Sequence, residues 1–118
     1  MAEPTAQPRM TTSVLKVVSA LLVDPSAERY GLDLVHETGL ASGTLYPILL
    51  RLERAGWVAP RWEDIDPVAE GRPSRRYYRL TPRGAAEARR EIATLRQHFA
   101  RATGDPPARA AVRRARHA

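Results

Sequence analysis

Cysteine is absent from all 118 residues, which excludes a disulfide framework, a thiolate metal site and a cysteine nucleophile. Long apolar runs are missing as well. The longest, residues 17–23, is interrupted by Ser19 and falls far short of the roughly 20 residues that span a bilayer. Glu3, Pro4 and Pro8 open the chain with no basic stretch ahead of an apolar one, which is not the pattern of a signal peptide. A soluble cytoplasmic protein with no membrane partner is expected. Lysine is nearly absent, because 18 of the 19 basic residues are Arg and only Lys16 is Lys. Arg is the side chain whose planar fork suits phosphate and guanine. Against 13 acidic residues the formal net charge is +6, which suggests an anionic partner without naming one.

No catalytic constellation is present either. His36, His98 and His117 are scattered, with no pair one helical turn apart and no carboxylate at ligand spacing. Ser42 and Ser74 lie in neither a nucleophile elbow nor a phosphate loop. Asp64 and Asp66 lack the rest of a calcium-binding pattern. The expectation is a protein that is not an enzyme and carries no metal or cofactor.

What is there is a sequence of start and stop signals. Residues 1–10 are polar, Pro-containing and aperiodic, which predicts a disordered N-terminal arm. Thr11, Thr12 or Ser13 can cap a helix running to about Val23. Its apolar residues Val14, Leu15, Val17, Val18, Leu21 and Leu22 occupy more than one face, so it must be covered on more than one side. One cover is expected to be its own core and the other a second subunit. A second helix is predicted from Ser26 or Tyr30 to Glu37, and Gly39 in the turn 38–41 suits a left-handed helix end. A third runs from a cap at Ser42 or Thr44 to Ala55, with Leu45, Ile48, Leu49 and Leu52 facing inward at helical spacing.

Two short helices joined by a Gly-containing turn form a helix-turn-helix pattern. The segments 57–63 and 75–80 then look like strands on either side of a polar loop, 64–74. A helix-turn-helix followed by a β-hairpin is the winged-helix order. Thr81 as N-cap with Pro82 at the first position starts a last helix, predicted to end near Thr103. Along it Ala85, Ala88, Ile92, Leu95, Phe99 and Ala102 repeat at alternating intervals of 3 and 4, a heptad seam. The fold class expected is mainly α with a small β-hairpin. Residues 11–81 form the winged helix-turn-helix domain, 82–103 the dimerisation helix and 104–118 a basic, flexible tail. Charge follows these divisions. Residues 11–104 hold 14 basic against 11 acidic residues and residues 105–118 hold 4 against 1, so half of the excess lies in the tail.

Arg72, Arg75, Arg76, Arg79 and Arg83 fall in a stretch without an acid. On the return strand, alternation turns Tyr78 and Leu80 inward and Arg79 outward. This cluster is either a solvated charged hairpin or a surface that meets phosphate, where each neutralised phosphate steepens the salt dependence of binding by about 0.9 in log units. The acidic residues Glu63, Asp64, Asp66 and Glu70 point to the segment 71–76 as the part that approaches DNA. Opposite the third helix's inner stripe lie Gly43, Thr44, Tyr46, Pro47, Leu50, Arg51 and Arg54. Tyr46 is a packing aromatic or a base contact. Arg51 and Arg54 can reach phosphate or guanine, and Leu50 is a contact to a thymine methyl or simply an exposed apolar residue. The seam either packs back onto the first helix or pairs two chains. Helix length favours pairing, with Val14, Val17 and Leu21 joined to Ala88, Ile92, Leu95, Phe99 and Ala102. Two reading helices about 34 Å apart match a palindrome.

The runs YGLDL at 30–34, GTLYPIL at 43–49, RLE at 51–53 and GRPSRRYYRLTPRG at 71–84 resemble the PadR family of transcriptional regulators. The resemblance covers about residues 13–103 in order. It implies a homodimeric winged-helix repressor of a double-stranded DNA operator, relieved in many relatives by small phenolic acids or drugs, hence a small hydrophobic or aromatic effector. By the same resemblance Tyr30, Ser42, Thr44, Tyr46, Arg72, Arg75 and Arg76 touch DNA. Position 50, often basic in the family, is Leu here, and the last helix offers Phe99 where some drug-binding relatives carry Trp. The alternative function is a winged-helix module for protein or RNA without operator specificity, since fold alone does not fix function.

Overall fold

A computed structural model of the chain describes residues 7–104. It divides after Glu87 into two compact units. The elements are α1 (Thr12–Leu22), β1 (Arg29–Tyr30), α2 (Gly31–Thr38), α3 (Ser42–Arg54), β2 (Val58–Trp62), α4 (Pro67–Glu70), β3 (Arg76–Leu80) and α5 (Pro82–Thr103).

Local chemistry sets most of these boundaries. The Thr11 side chain accepts a hydrogen bond from the Val14 backbone N–H and starts α1. Gly39 ends α2 at φ 72°, and the Thr38 hydroxyl donates back to the Leu34 carbonyl at 2.7 Å. At α3 the expected side-chain cap is absent. The helix begins at Ser42 itself, and the Ala41 carbonyl takes the N–H groups of Thr44 and Leu45. The Ser42 and Thr44 side chains are left exposed.

The core of the first unit is built on α3. Leu45, Ile48, Leu49 and Leu52 are all buried, together with Val14, Val17, Val18 and Leu21 of α1, Leu34 of α2, and Trp57, Val58, Tyr78 and Leu80. Among the described residues no polar or charged residue is buried. This corrects the expected use of α1. Val14, Val17 and Leu21, assigned to a dimer contact, are at most 4% exposed within the single chain. They repeat at helical spacing on the face that meets α2 and α3, so their apolar area is already out of water. The face of α1 left over carries Leu15, Lys16 and Ser19, which with Val23 just past its end help to line an open groove of about 510 Å³.

The sheet is antiparallel with three strands in the order β1-β3-β2, one more than the expected hairpin. Arg29 pairs with Tyr78 and Tyr30 with Tyr77, so a segment of only two residues ties the start of α2 to the wing. Tyr78 and Leu80 are buried and Arg79 is exposed, the alternation expected of β3. The wing loop contains a short helix, α4, which Asp66 caps by accepting from the Val68 N–H. The sequence holds that signal as Asp66-Pro67, an N-cap followed by a proline.

At the start of α5 the Thr81 hydroxyl accepts from the Gly84 N–H at 2.9 Å and donates to the Gly56 carbonyl at 2.8 Å. Gly84 is packed against the backbone of Trp57. A Cβ at this position would fall 2.1 Å from the Trp57 carbonyl oxygen and 2.6 Å from its Cα.

The second unit is described by the remainder of α5. Ala88 is buried, Ile92 and Leu95 are partly exposed, Phe99 is 60% exposed and Ala102 is exposed. The helix has 22 residues, about 33 Å at 1.5 Å per residue. Of the expected arm and tail, residues 1–6 and 105–118 lie outside the described residues.

Candidate nucleic-acid interface

The outer face of α3 is the first part of the site. Ser42, Gly43, Thr44, Tyr46, Pro47, Leu50, Arg51 and Arg54 are all exposed, because the inner stripe of leucines and Ile48 turns them toward solvent. Tyr46 is both a packing and a surface residue. It is 40% exposed, and its ring lies so close to Gly31 at the start of α2 that a Cβ there would meet its Cε1 and Oη at 2.8 Å. The absent side chain of Gly31 is what lets the Tyr46 ring lie against α2.

The wing is the second part, and its two faces differ. On the face turned toward α3, the Arg76 guanidinium lies 4.8 Å from the centre of the Trp62 ring and 5.9 Å from that of Tyr78. It also lies 3.6 Å from Glu53 of α3. Burial raises the Tyr78 hydroxyl above its ordinary pKa, against the opposing pull of Arg76. On the outer face Tyr30, Tyr77 and Arg61 form a row across the three strands. The two tyrosine rings are 5.9 Å apart, Arg61 lies over Tyr77 at 5.4 Å and Arg75 over Tyr30 at 5.0 Å. Glu28 holds Arg61, and the hydrogen bond lowers the Glu28 pKa.

At the wing's mouth Glu63 binds Arg72 with both carboxylate oxygens and also accepts from the Arg75 backbone N–H. The Arg72 guanidinium is the largest cause of a Glu63 pKa of about 2.

Of the arginines expected on DNA, Arg72 and Arg76 therefore carry carboxylate partners. Arg51, Arg54 and Arg75 have no salt bridge among the described residues. The sequence contains Glu63 and Glu53, but nothing in their spacing reveals which arginine each one meets. That follows from the hairpin register and from how α3 packs beside it. Among the described residues no group of His, Cys, Asp and Glu could hold a metal ion, and no helix is long and apolar enough to cross a membrane.

A helix-turn-helix whose second helix turns its polar and basic side outward, followed by a stranded wing, defines a winged helix-turn-helix protein. The comparisons with known proteins agree. Residues 21–90 match the family described as the transcriptional regulator PadR-like family, and the chain belongs to that family of DNA-binding transcriptional regulators. Among solved structures, the PadR-like transcription factor from Bacteroides fragilis is 21% identical with a TM-score of 0.65 over 79% of this chain and 88% of its own. The protein smu.1704 from Streptococcus mutans UA159 is 22% identical, with a TM-score of 0.61 over 88% and 92%. A PadR family transcription regulator from Clostridium difficile R20291 is 21% identical, with a TM-score of 0.55 over 76% and 92%. At these identities the structures establish the fold. No curated protein matches the sequence.

Proposed function

We propose that the chain is a homodimeric repressor that binds a palindromic DNA operator by sequence and is released by a small hydrophobic or aromatic effector. The observation that carries this reading is the solvent face of α3. It presents Thr44, Tyr46, Arg51 and Arg54, and the helix's one carboxylate, Glu53, is directed to Arg76. In this reading α3 enters the major groove, and Tyr30 and the wing arginines, Arg75 foremost, meet the flanking phosphates. Phosphate contacts position such a protein and base contacts specify its site. The seam of α5, with Ile92 and Leu95 partly exposed and Phe99 and Ala102 exposed, pairs two chains and sets the half-site spacing. The effector binds in the groove beside Leu15 of α1 and Val23 just past its end. The protein performs no catalysis.

The deciding experiment measures binding of the full chain to duplex DNA from upstream of its own gene across a salt series. Retention of one site at salt that releases unrelated duplexes supports the reading. Uniform release of all duplexes points to a generic polyanion binder. Sedimentation of wild type and Phe99→Glu tests the dimer, and titration with simple aromatic acids during operator binding tests the effector.

A further inference from the structure

Leu49 and Leu50 are neighbours with opposite fates. Leu49 is fully buried in the core, whereas Leu50 is 44% exposed. One helical turn to either side of Leu50 stand Tyr46 and Arg54, with Arg51 beside it, all exposed. Arg51 and Arg54 have no salt bridge among the described residues. The surface is thus an apolar centre with two cations on one side and the Tyr46 ring on the other. The two arginines complement a polyanion, and the apolar centre narrows the choice further. Pressing a leucine onto donors and acceptors strips their water and returns no hydrogen bond. The major groove presents donors or acceptors on every base edge and a single kind of apolar group, the C5-methyl of thymine.

Resting on the reading of α3 as the major-groove helix, we propose that Leu50 is a specificity-determining residue that meets a thymine methyl in each operator half-site. The operator then carries a T·A pair at that position, and its preference comes from an apolar contact where Arg51 and Arg54 supply polar ones. An apolar patch on a protein partner is the competing occupant, and the absence of a free carboxylate on this face does not choose it over DNA.

The test begins with duplexes selected by the full-length protein from a random-sequence library. Each thymine of the selected consensus is then replaced in turn by uracil, which removes the methyl group alone. Affinity is measured for wild type and for Leu50→Ala, with thermal melting to check that both are equally folded. The expected result is one position per half-site at which uracil weakens wild type about four-fold, the worth of one buried methyl group, and leaves Leu50→Ala unchanged. Wild-type indifference to uracil at every thymine overturns the proposal, as does an equal loss in Leu50→Ala. A consensus that binds but ignores uracil removes only the role of Leu50. A library that yields no consensus removes the operator reading itself, and this proposal with it.

Discussion

Arg72 holds Glu63 across the mouth of the wing, with Nη1 2.7 Å from Oε1 and Nη2 3.2 Å from Oε2. Two parallel charge-assisted bonds fix orientation as well as distance. The same carboxylate accepts from the Arg75 backbone N–H at 3.3 Å, and the Glu63 N–H donates to the Arg75 carbonyl at 2.7 Å. One acidic side chain therefore closes the loop that contains α4, and it does so by occupying an arginine that the sequence assigns to DNA.

Acid should loosen this closure in a defined window. The Glu63 pKa lies at about 2, below its ordinary 4.5, so the folded state favours the ionised form. Its contribution to stability is complete above about pH 4.5 and is lost as pH falls through 2. Between those values the melting temperature of wild type should fall more steeply than that of Glu63→Gln. Parallel melting curves for the two proteins would contradict the assignment.

Salt dependence should separate the wing arginines. Arg75→Ala is expected to flatten the plot of log affinity against log salt by about 0.9 for one lost phosphate contact. Arg72→Ala should change that slope less, because the charge it removes is paired with Glu63. Glu63→Ala releases Arg72 and should steepen the slope. Equal slopes for the Arg72 and Arg75 variants would show that the clamp opens on DNA.

Adjacent leucines should differ in what they cost. Leu49→Ala empties a fully buried position and is expected to lose about 2–5 kcal/mol, measured by urea unfolding. Leu50→Ala removes an exposed side chain and should stay within about 0.5 kcal/mol of wild type.

The hydroxyl of Thr81 can be tested by a conservative pair. Thr81→Ala loses the cap on α5 and the bond to the Gly56 carbonyl, with an expected loss of about 1 kcal/mol. Thr81→Ser keeps both and should unfold close to wild type in the same urea titration.

Much of the fold is legible in the sequence because its signals are local. Thr81-Pro82 starts α5 at the expected residue, Gly39 turns the chain where expected, and the stripe from Leu45 to Leu52 faces the core. What stays hidden depends on partners distant in sequence. Arg29 and Tyr30 become a strand only by pairing with β3, and two residues are too few to show alternation. The apolar periodicity of α1 shows that it needs cover but not which face the core takes, and the core takes Val14, Val17 and Leu21. The same holds for the candidate site. The exposed residues of α3 follow from its helical period, whereas the pairing of Arg72 with Glu63 and of Arg76 with Glu53 depends on register and packing.

Gly84 gives the contact between α5 and Trp57 a genetic consequence. Helices ordinarily tolerate alanine better than glycine, yet here even one methyl group would lie 2.1 Å from the Trp57 carbonyl oxygen, a clash that only a shift of backbone could relieve. Every missense change in this codon adds at least that carbon, so inherited variation at the position should be confined to synonymous substitutions.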